Sequence, residues 1–203
     1  SRRAATGARM KAHDLFTTIS DLVMCHSPSG VEGEIDRLLE RRFEALGVAV
    51  RSDTSGNLFV RIPGTGHGRL AITAHKDEIG GIVTALEDDG RLKVRKLGGS
   101  YPWIYGEGVV DLLGDAACVS GVLSFGSRHV SHASPQHAHQ ASAPLLWLDA
   151  WIETKLAAEE LARAGVRIGT RVVVGKQRKA PLRLKDHIAS YALDNKASLA
   201  ILL

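Results

Sequence analysis

Two short runs hold the residue types that could do chemistry. The first is Ala74-His75-Lys76-Asp77-Glu78-Ile79-Gly80, which follows the apolar stretch Leu70-Ala71-Ile72-Thr73. If this segment is extended, His75 and Asp77 project from the same face. An imidazole there can ligate a divalent metal while the carboxylate beside it accepts the other ring N–H, fixing the tautomer and raising the basicity of the ligand. The second run is Tyr191-Ala192-Leu193-Asp194-Asn195-Lys196, near the end of the chain. It reads as a strand end followed by a helix, with Asp194 at the change; a helix N-cap is compatible with that position. Two metal ions ~3.5–4 Å apart can clamp a hydrolytic water and polarise a carbonyl, and they want a bridging carboxylate with His and acidic ligands on each side. His75 is the candidate ligand to one metal, Asp194 the candidate bridge and Asp77 the supporting acid. Glu78 and Glu107 receive no role, being read as ordinary exposed acids.

The elements that must position these residues change in style along the chain. Leu15, Ile19, Leu22 and Val23 follow helical spacing, which predicts a helix over Ala12 to Met24. Ser29 and Glu32 have capping-box spacing for a second helix with the stripe Val31, Ile35, Leu38, Leu39 and Leu46, and Gly47 is placed to end it. Strands are expected at Val48 to Arg51 and Leu58 to Ile62, and a fully buried one at Leu70 to Ala74. Helices with such a strand suggest an α/β sandwich. After Gly80 come short strands broken by Gly and Asp: Ile82 to Leu86, Arg91 to Lys96, Val109 to Leu113 and Ala117 to Phe125, with Asp88-Asp89-Gly90 as a hairpin signal. This is the pattern of a small β-barrel. A helix over Glu153 to Ala164 and strands at Val172 to Val174 and Ile188 to Ala192 complete the reading. The expected organisation is an α/β domain in two pieces, 10–81 and 185–203, carrying a β-rich insert over 82–184.

The composition narrows the function classes. The chain has 203 residues and a net charge of +4 spread over dispersed arginines. Its longest basic stretch, Lys176-Gln177-Arg178-Lys179, is short, lacks aromatic residues and reads as a solvated loop, so no nucleic-acid partner is expected. No apolar run reaches the ~18 residues of a membrane span. Cys25 and Cys118 lie far apart in apolar settings, which suits buried thiols and a reducing cytoplasm. Ser1 to Arg9 reads as a leader or as sequence upstream of a start at Met10. His129, His132, His137 and His139 fit no regular metal spacing and read as part of a surface loop.

The ordered set of motifs resembles the glutamyl/deblocking (TET-type) di-zinc aminopeptidases. Thr73 to Gly80 and Ala192-Leu193-Asp194-Asn195 look like that family's two signatures. Ser29-Gly30-Val31-Glu32, Ser55-Gly56-Asn57-Leu58, Gly121-Val122-Leu123 and Ala164 to Gly169 fall in the family's order, so the similarity covers nearly everything from His13 to Leu203. The resemblance implies a two-metal α/β peptidase domain with an inserted barrel that helps build homo-oligomers from dimers up to a dodecamer. It assigns metal ligation to His75, metal bridging to Asp194 and support to Asp77. It implies two divalent ions, zinc with cobalt or manganese as alternatives, peptide substrates cleaved at the N-terminus, and a cis Asp194–Asn195 bond. Lys76 and Asn195-Lys196 depart from the usual family residues. The family's general-base Glu and its remaining ligands lie beyond the bridging Asp, so the chain is expected to be part of a longer enzyme and an incomplete catalyst. A deacylase or dipeptidase on the same frame, and a non-catalytic self-association module, are the alternatives.

Overall fold

The computed structural model describes residues 12–126 and 142–203. The expected leader and the four-histidine segment fall outside these residues. Helix α1 (Ala12–Met24) has the predicted bounds, and Ile19, Leu22 and Val23 on its inner face are buried. Helix α2 (Gly33–Ala45) buries Ile35 and Leu39. Val31 and Leu46, expected in the same stripe, lie outside the helix and are exposed. The capping box does not form, because its members have other partners. Ser29 donates its hydroxyl to Asp77 Oδ2 at 2.6 Å, and Glu32 folds back to accept the Gly30 N–H at 2.7 Å. Gly47 does stop the chain, at φ 72°, with its N–H on Glu44 O at 2.8 Å. A helix with the local φ/ψ of Gly47 would place a Cβ against the following carbonyl, which glycine avoids.

Six antiparallel strands close into a barrel. In chain order they are β3 (Gly80–Leu86), β4 (Arg91–Leu97), β5 (Gly108–Leu113), β6 (Cys118–Ser124), β7 (Trp151–Glu153) and β8 (Arg171–Val174), and around the barrel they run β3-β4-β7-β6-β5-β8. Alternation fills the interior: Val83, Leu92, Val94, Val110, Leu112, Leu123, Ile152, Val172 and Val174 form one continuous core. Strand β7 was not anticipated. The expected helix from Glu153 shrinks to α4 (Ala158–Arg163), since Glu153 belongs to the strand Trp151–Glu153 that bridges β4 and β6, and 154–157 carry the chain from that strand to the helix. Three residues are too few to show a period, so only closure of the barrel specifies them. The motif glycine Gly121 has a packing reason: a Cβ there would come within 2.6 Å of Ile152 Cγ2 and 3.1 Å of Glu153 O.

The other elements form a second core against one side of the barrel. Helix α6 (Leu193–Leu202) packs on α1, and Leu199 and Ala200 join Ile19, Leu22, Val23, Ile35 and Leu39. Two hairpins flank this layer, β1 (Val50–Ser52) with β2 (Leu58–Val60) and β9 (Leu182–Leu184) with β10 (His187–Ala189). A four-residue helix α3 (Pro102–Tyr105) connects β4 to β5, and another, α5 (Lys176–Lys179), follows β8. The strand expected over Leu70 to Ala74 does not form. Leu70 is 87% and Ile72 67% exposed, and no described residue forms a ladder with them. Apolar character suits a strand, but backbone N–H and C=O groups still need a neighbour. The strand expected over Ile188 to Ala192 ends at Ala189, and Ala192 turns into the left-handed region at φ 58°.

Candidate metal centre

The two runs singled out in the sequence meet at the seam between the barrel and the helices. His75 lies 119 positions before Asp194, yet its Nε2 is 3.2 Å from Asp194 Oδ1. Its Nδ1 is 3.1 Å from Asp77 Oδ1 and 3.3 Å from the Asp77 carbonyl. The Ser29 hydroxyl holds the second oxygen of Asp77. Asp194 stands at a break in the first turn of α6, with φ −83° and ψ 109°, rather than as its cap. The Asp194–Asn195 peptide is cis, as the resemblance led us to expect. The Asp194 side chain is 92% exposed and the His75 side chain 52%, which leaves the ring and the carboxylate open on one side.

The donor set fits a divalent cation. Each ring nitrogen of His75 faces a carboxylate oxygen; a ring protonated at both nitrogens would donate to both, whereas a neutral ring needs a cation beside its unprotonated nitrogen. With Nδ1–H donating to Asp77, the Nε2 lone pair faces Asp194, as in metal centres where a carboxylate orients a ligating histidine. Lys76 points away from this face, and its Nζ bonds Asp36 Oδ1 and the Gly56 carbonyl.

Directly beneath lies a buried charge network that the sequence reading missed. Glu78, expected to be exposed, is 5% exposed. Its Oε1 accepts from Lys179 Nζ at 2.7 Å and from the Ser27 N–H at 2.8 Å, and Lys196 Nζ is 3.4 Å away. Lys179 and Lys196 are both fully buried. Burial pushes the Lys196 ammonium down to about 8, against the opposing pull of Glu78, and lowers Lys179 as well. Lys179 Nζ also lies 3.0 Å from His26 Nδ1, whose Nε2 bonds Asp111 Oδ2 at 3.0 Å. The His26 hydrogen bond, helped by the Lys176 N–H and the Ser120 hydroxyl, holds the Asp111 carboxyl down at about 2. Burial alone would raise Glu34, but hydrogen bonds from Lys176 and the His26 N–H outweigh it and lower its pKa. The supposed solvated loop at Lys176 to Lys179 is therefore a short helix whose last lysine is internal. Asp111 occupies the outer face of β5, between the inward-facing Val110 and Leu112. Two signals were available: a lysine three residues before the apolar run Leu199 to Leu203, and an acid two residues before an apolar barrel strand.

A second group of potential metal donors is His26, Asp111 and Cys118, whose ligand atoms lie within 4.8 Å of one another. Both nitrogens of His26 are already engaged, by Asp111 and Lys179, so this group is committed to the internal network. Cys25 is buried, with its thiol pushed up by burial, whereas Cys118 is exposed, contrary to the apolar setting expected for it.

The fold is shared with solved aminopeptidase structures. The chain superposes on aminopeptidase APDkam598 from the archaeon Desulfurococcus kamchatkensis with a TM-score of 0.76 and 25% identity, covering 95% of this chain and 53% of that one. It also superposes on the Pyrococcus horikoshii TET1 peptidase, described as assembling into a tetrahedron or a large octahedral shell, with a TM-score of 0.76 at 23% identity over 92% and 55% of the two chains. The M42 glutamyl aminopeptidase family model matches residues 56–203, and the chain belongs to that family. Its sequence is 27% identical to SgcX of Escherichia coli over 188 residues, 92% of this chain and 49% of SgcX. The chain thus spans about half the length of these relatives.

Proposed function

We propose that this chain forms part of a metal-dependent aminopeptidase that removes N-terminal residues from peptides. The observation that carries the reading is the alignment of Asp77, His75 and Asp194 through the two nitrogens of one imidazole. In this reading His75 Nε2 would hold one divalent ion, Asp194 would be shared between it and a second, and Asp77 would accept the Nδ1–H hydrogen bond that fixes the ring's orientation. Zinc suits the imidazole–carboxylate set, with cobalt or manganese as alternatives. Such ions, when bound, polarise the scissile carbonyl and acidify a water. The exposed side of Asp194 gives a peptide terminus access to this point.

The organisation we propose is an α/β sandwich-type peptidase domain formed by 10–81 and 185–203, with 82–184 as a barrel insert that mediates homo-oligomer formation. Two independent cores, one inside the barrel and one among α1, α2 and α6, support that division. The shell-forming TET1 peptidase supports the oligomer. Peptides are the proposed partners, with neither nucleic acid nor membrane, in the cytoplasm. Among the described residues no helix is long and apolar enough to cross a membrane.

The test is metal content together with hydrolysis of amino-acid anilides, measured on this chain and on one extended to the length of its relatives. Metal uptake that His75→Ala and Asp194→Asn abolish, with cleavage of free-amine but not N-acetylated substrates by the extended chain, is the expected result. An extended chain that binds no metal and cleaves nothing refutes the reading. Cleavage confined to N-acylated substrates would instead make it a deacylase.

A further inference from the structure

We propose that Glu78 is a positioning residue: through Lys196 its buried carboxylate locks together the two chain segments that carry the candidate metal ligands. The inference rests on the metal reading above for its functional meaning, but the lock itself is a property of the folded chain.

Three segments converge under the site. The strip 76–78 is laced to the strip 25–29 by four hydrogen bonds. The Glu78 N–H donates to Ser27 O at 2.8 Å, and the Ser27 N–H donates to Glu78 Oε1 at 2.8 Å. The Ser27 hydroxyl donates to Lys76 O at 2.9 Å, and the Ser29 hydroxyl to Asp77 Oδ2 at 2.6 Å. None of these reaches the third segment, the turn at 192–196 that presents Asp194. The tie comes from Lys196, whose Nζ donates to Cys25 O at 2.7 Å and lies 3.4 Å from Glu78 Oε1. Glu78 follows Asp77 directly, and Lys196 comes two residues after Asp194, so one buried ion pair spans both halves of the His75–Asp194 pair. Lys179 supplies the second cation to Glu78 and carries the tie on to His26 and Asp111 on the barrel wall.

A buried ion pair is poor evidence of stability, because apolar residues of similar volume often serve as well. Its distinctive contribution is geometric. An apolar side chain at 196 could fill the space but could not hold Cys25 O and Glu78 together. The Asp194 side chain projects into solvent and has no described partner except His75, so the direction of its carboxylate depends on what fixes the backbone behind it. Supporting groups around metal ligands commonly change affinity about ten- to hundredfold when removed.

The experiment uses the chain extended to the length of its relatives, compared as wild type, Glu78→Gln, Lys196→Met and Lys196→Arg. Asp115→Asn, which removes an exposed ion pair to Arg167, serves as the control. Backbone amide exchange is measured without metal, and Co2+ affinity and visible spectrum are measured by titration. Glu78→Gln and Lys196→Met are expected to lose protection together at 75–80 and 193–197 while barrel strands β5 and β6 keep theirs. They are expected to weaken Co2+ binding about ten- to hundredfold with a changed spectrum, and Lys196→Arg, which keeps the charge, should restore both. Exchange that is unchanged at these segments, or that rises uniformly over the whole chain, overturns the proposal. So does wild-type Co2+ affinity in both Glu78→Gln and Lys196→Met. If the wild type takes up no Co2+ but the two segments loosen together, the lock stands and the metal reading fails.

Discussion

Lys179→Met removes a fully buried ammonium while keeping most of the side-chain stem, so it isolates charge from packing. In the folded chain Nζ makes a charge-assisted hydrogen bond to Glu78 at 2.7 Å and faces His26 Nδ1 at 3.0 Å. Hydrogen bonds to charged groups contribute ~1.5–3 kcal/mol, and leaving a buried acceptor unsatisfied costs a further ~1–3 kcal/mol. Against these stands the desolvation of the ammonium itself, the first cause of its lowered pKa, which the variant no longer bears. Glu78 also keeps the Ser27 N–H and Lys196, so the ~3–5 kcal/mol typical of breaking an isolated buried pair is an upper bound. The expected loss is about 2–3 kcal/mol, read from urea denaturation with the slope unchanged. A double-mutant cycle with Glu78→Gln should return a coupling of about 1–2 kcal/mol. A loss below about 0.5 kcal/mol, the range of surface substitutions away from special features, would refute the view that Lys179 and Glu78 form an energetically coupled internal pair.

Three further outcomes follow from the geometry. The folded Asp111 carboxyl lies at about 2, below its usual 3.8, so the unfolded chain takes up its proton first. Its stabilising contribution is complete above the usual aspartate range and is lost as pH falls through about 2; Asp111→Asn should flatten that part of an acid-unfolding curve, and an unaltered curve would contradict it. Gly121→Ala should destabilise by about 1–3 kcal/mol, because its Cβ would meet Ile152 Cγ2 at 2.6 Å; thermal melts check it. Ile72→Ser should change the stability of this chain by no more than about 0.5 kcal/mol, since Ile72 is 67% exposed; a large loss would mean that the segment is packed after all.

Family resemblance entered through motif order, and the residues it marked do come together: His75 and Asp194 are within hydrogen-bonding distance across 119 positions. Strand signals in the barrel were legible because alternation and Gly-Asp turns are local, and β3, β4, β5, β6 and β8 lie within two residues of their expected bounds at every end. Strand β7 was not legible, since three residues carry no period. The Leu70 to Ala74 strand was over-read, because hydrophobicity reports a wish for burial and not the presence of a ladder partner. Glu78 was dismissed as an exposed acid and Lys179 as part of a solvated loop, because charge in a sequence is read as exposure by default.

The sequence by itself marked His75, Asp77 and Asp194 as candidates, and determined where α1 and most barrel strands run and which family the ordered motifs resemble. These depend on residue type and near-neighbour spacing. Only the tertiary structure decided that Glu78, Lys179, Lys196, His26 and Asp111 are internal and joined. The contacts that tie them into the fold span between 51 and 171 positions, and whether a charge faces water or an opposite charge is fixed when the barrel and the helices close over it, which no local pattern encodes.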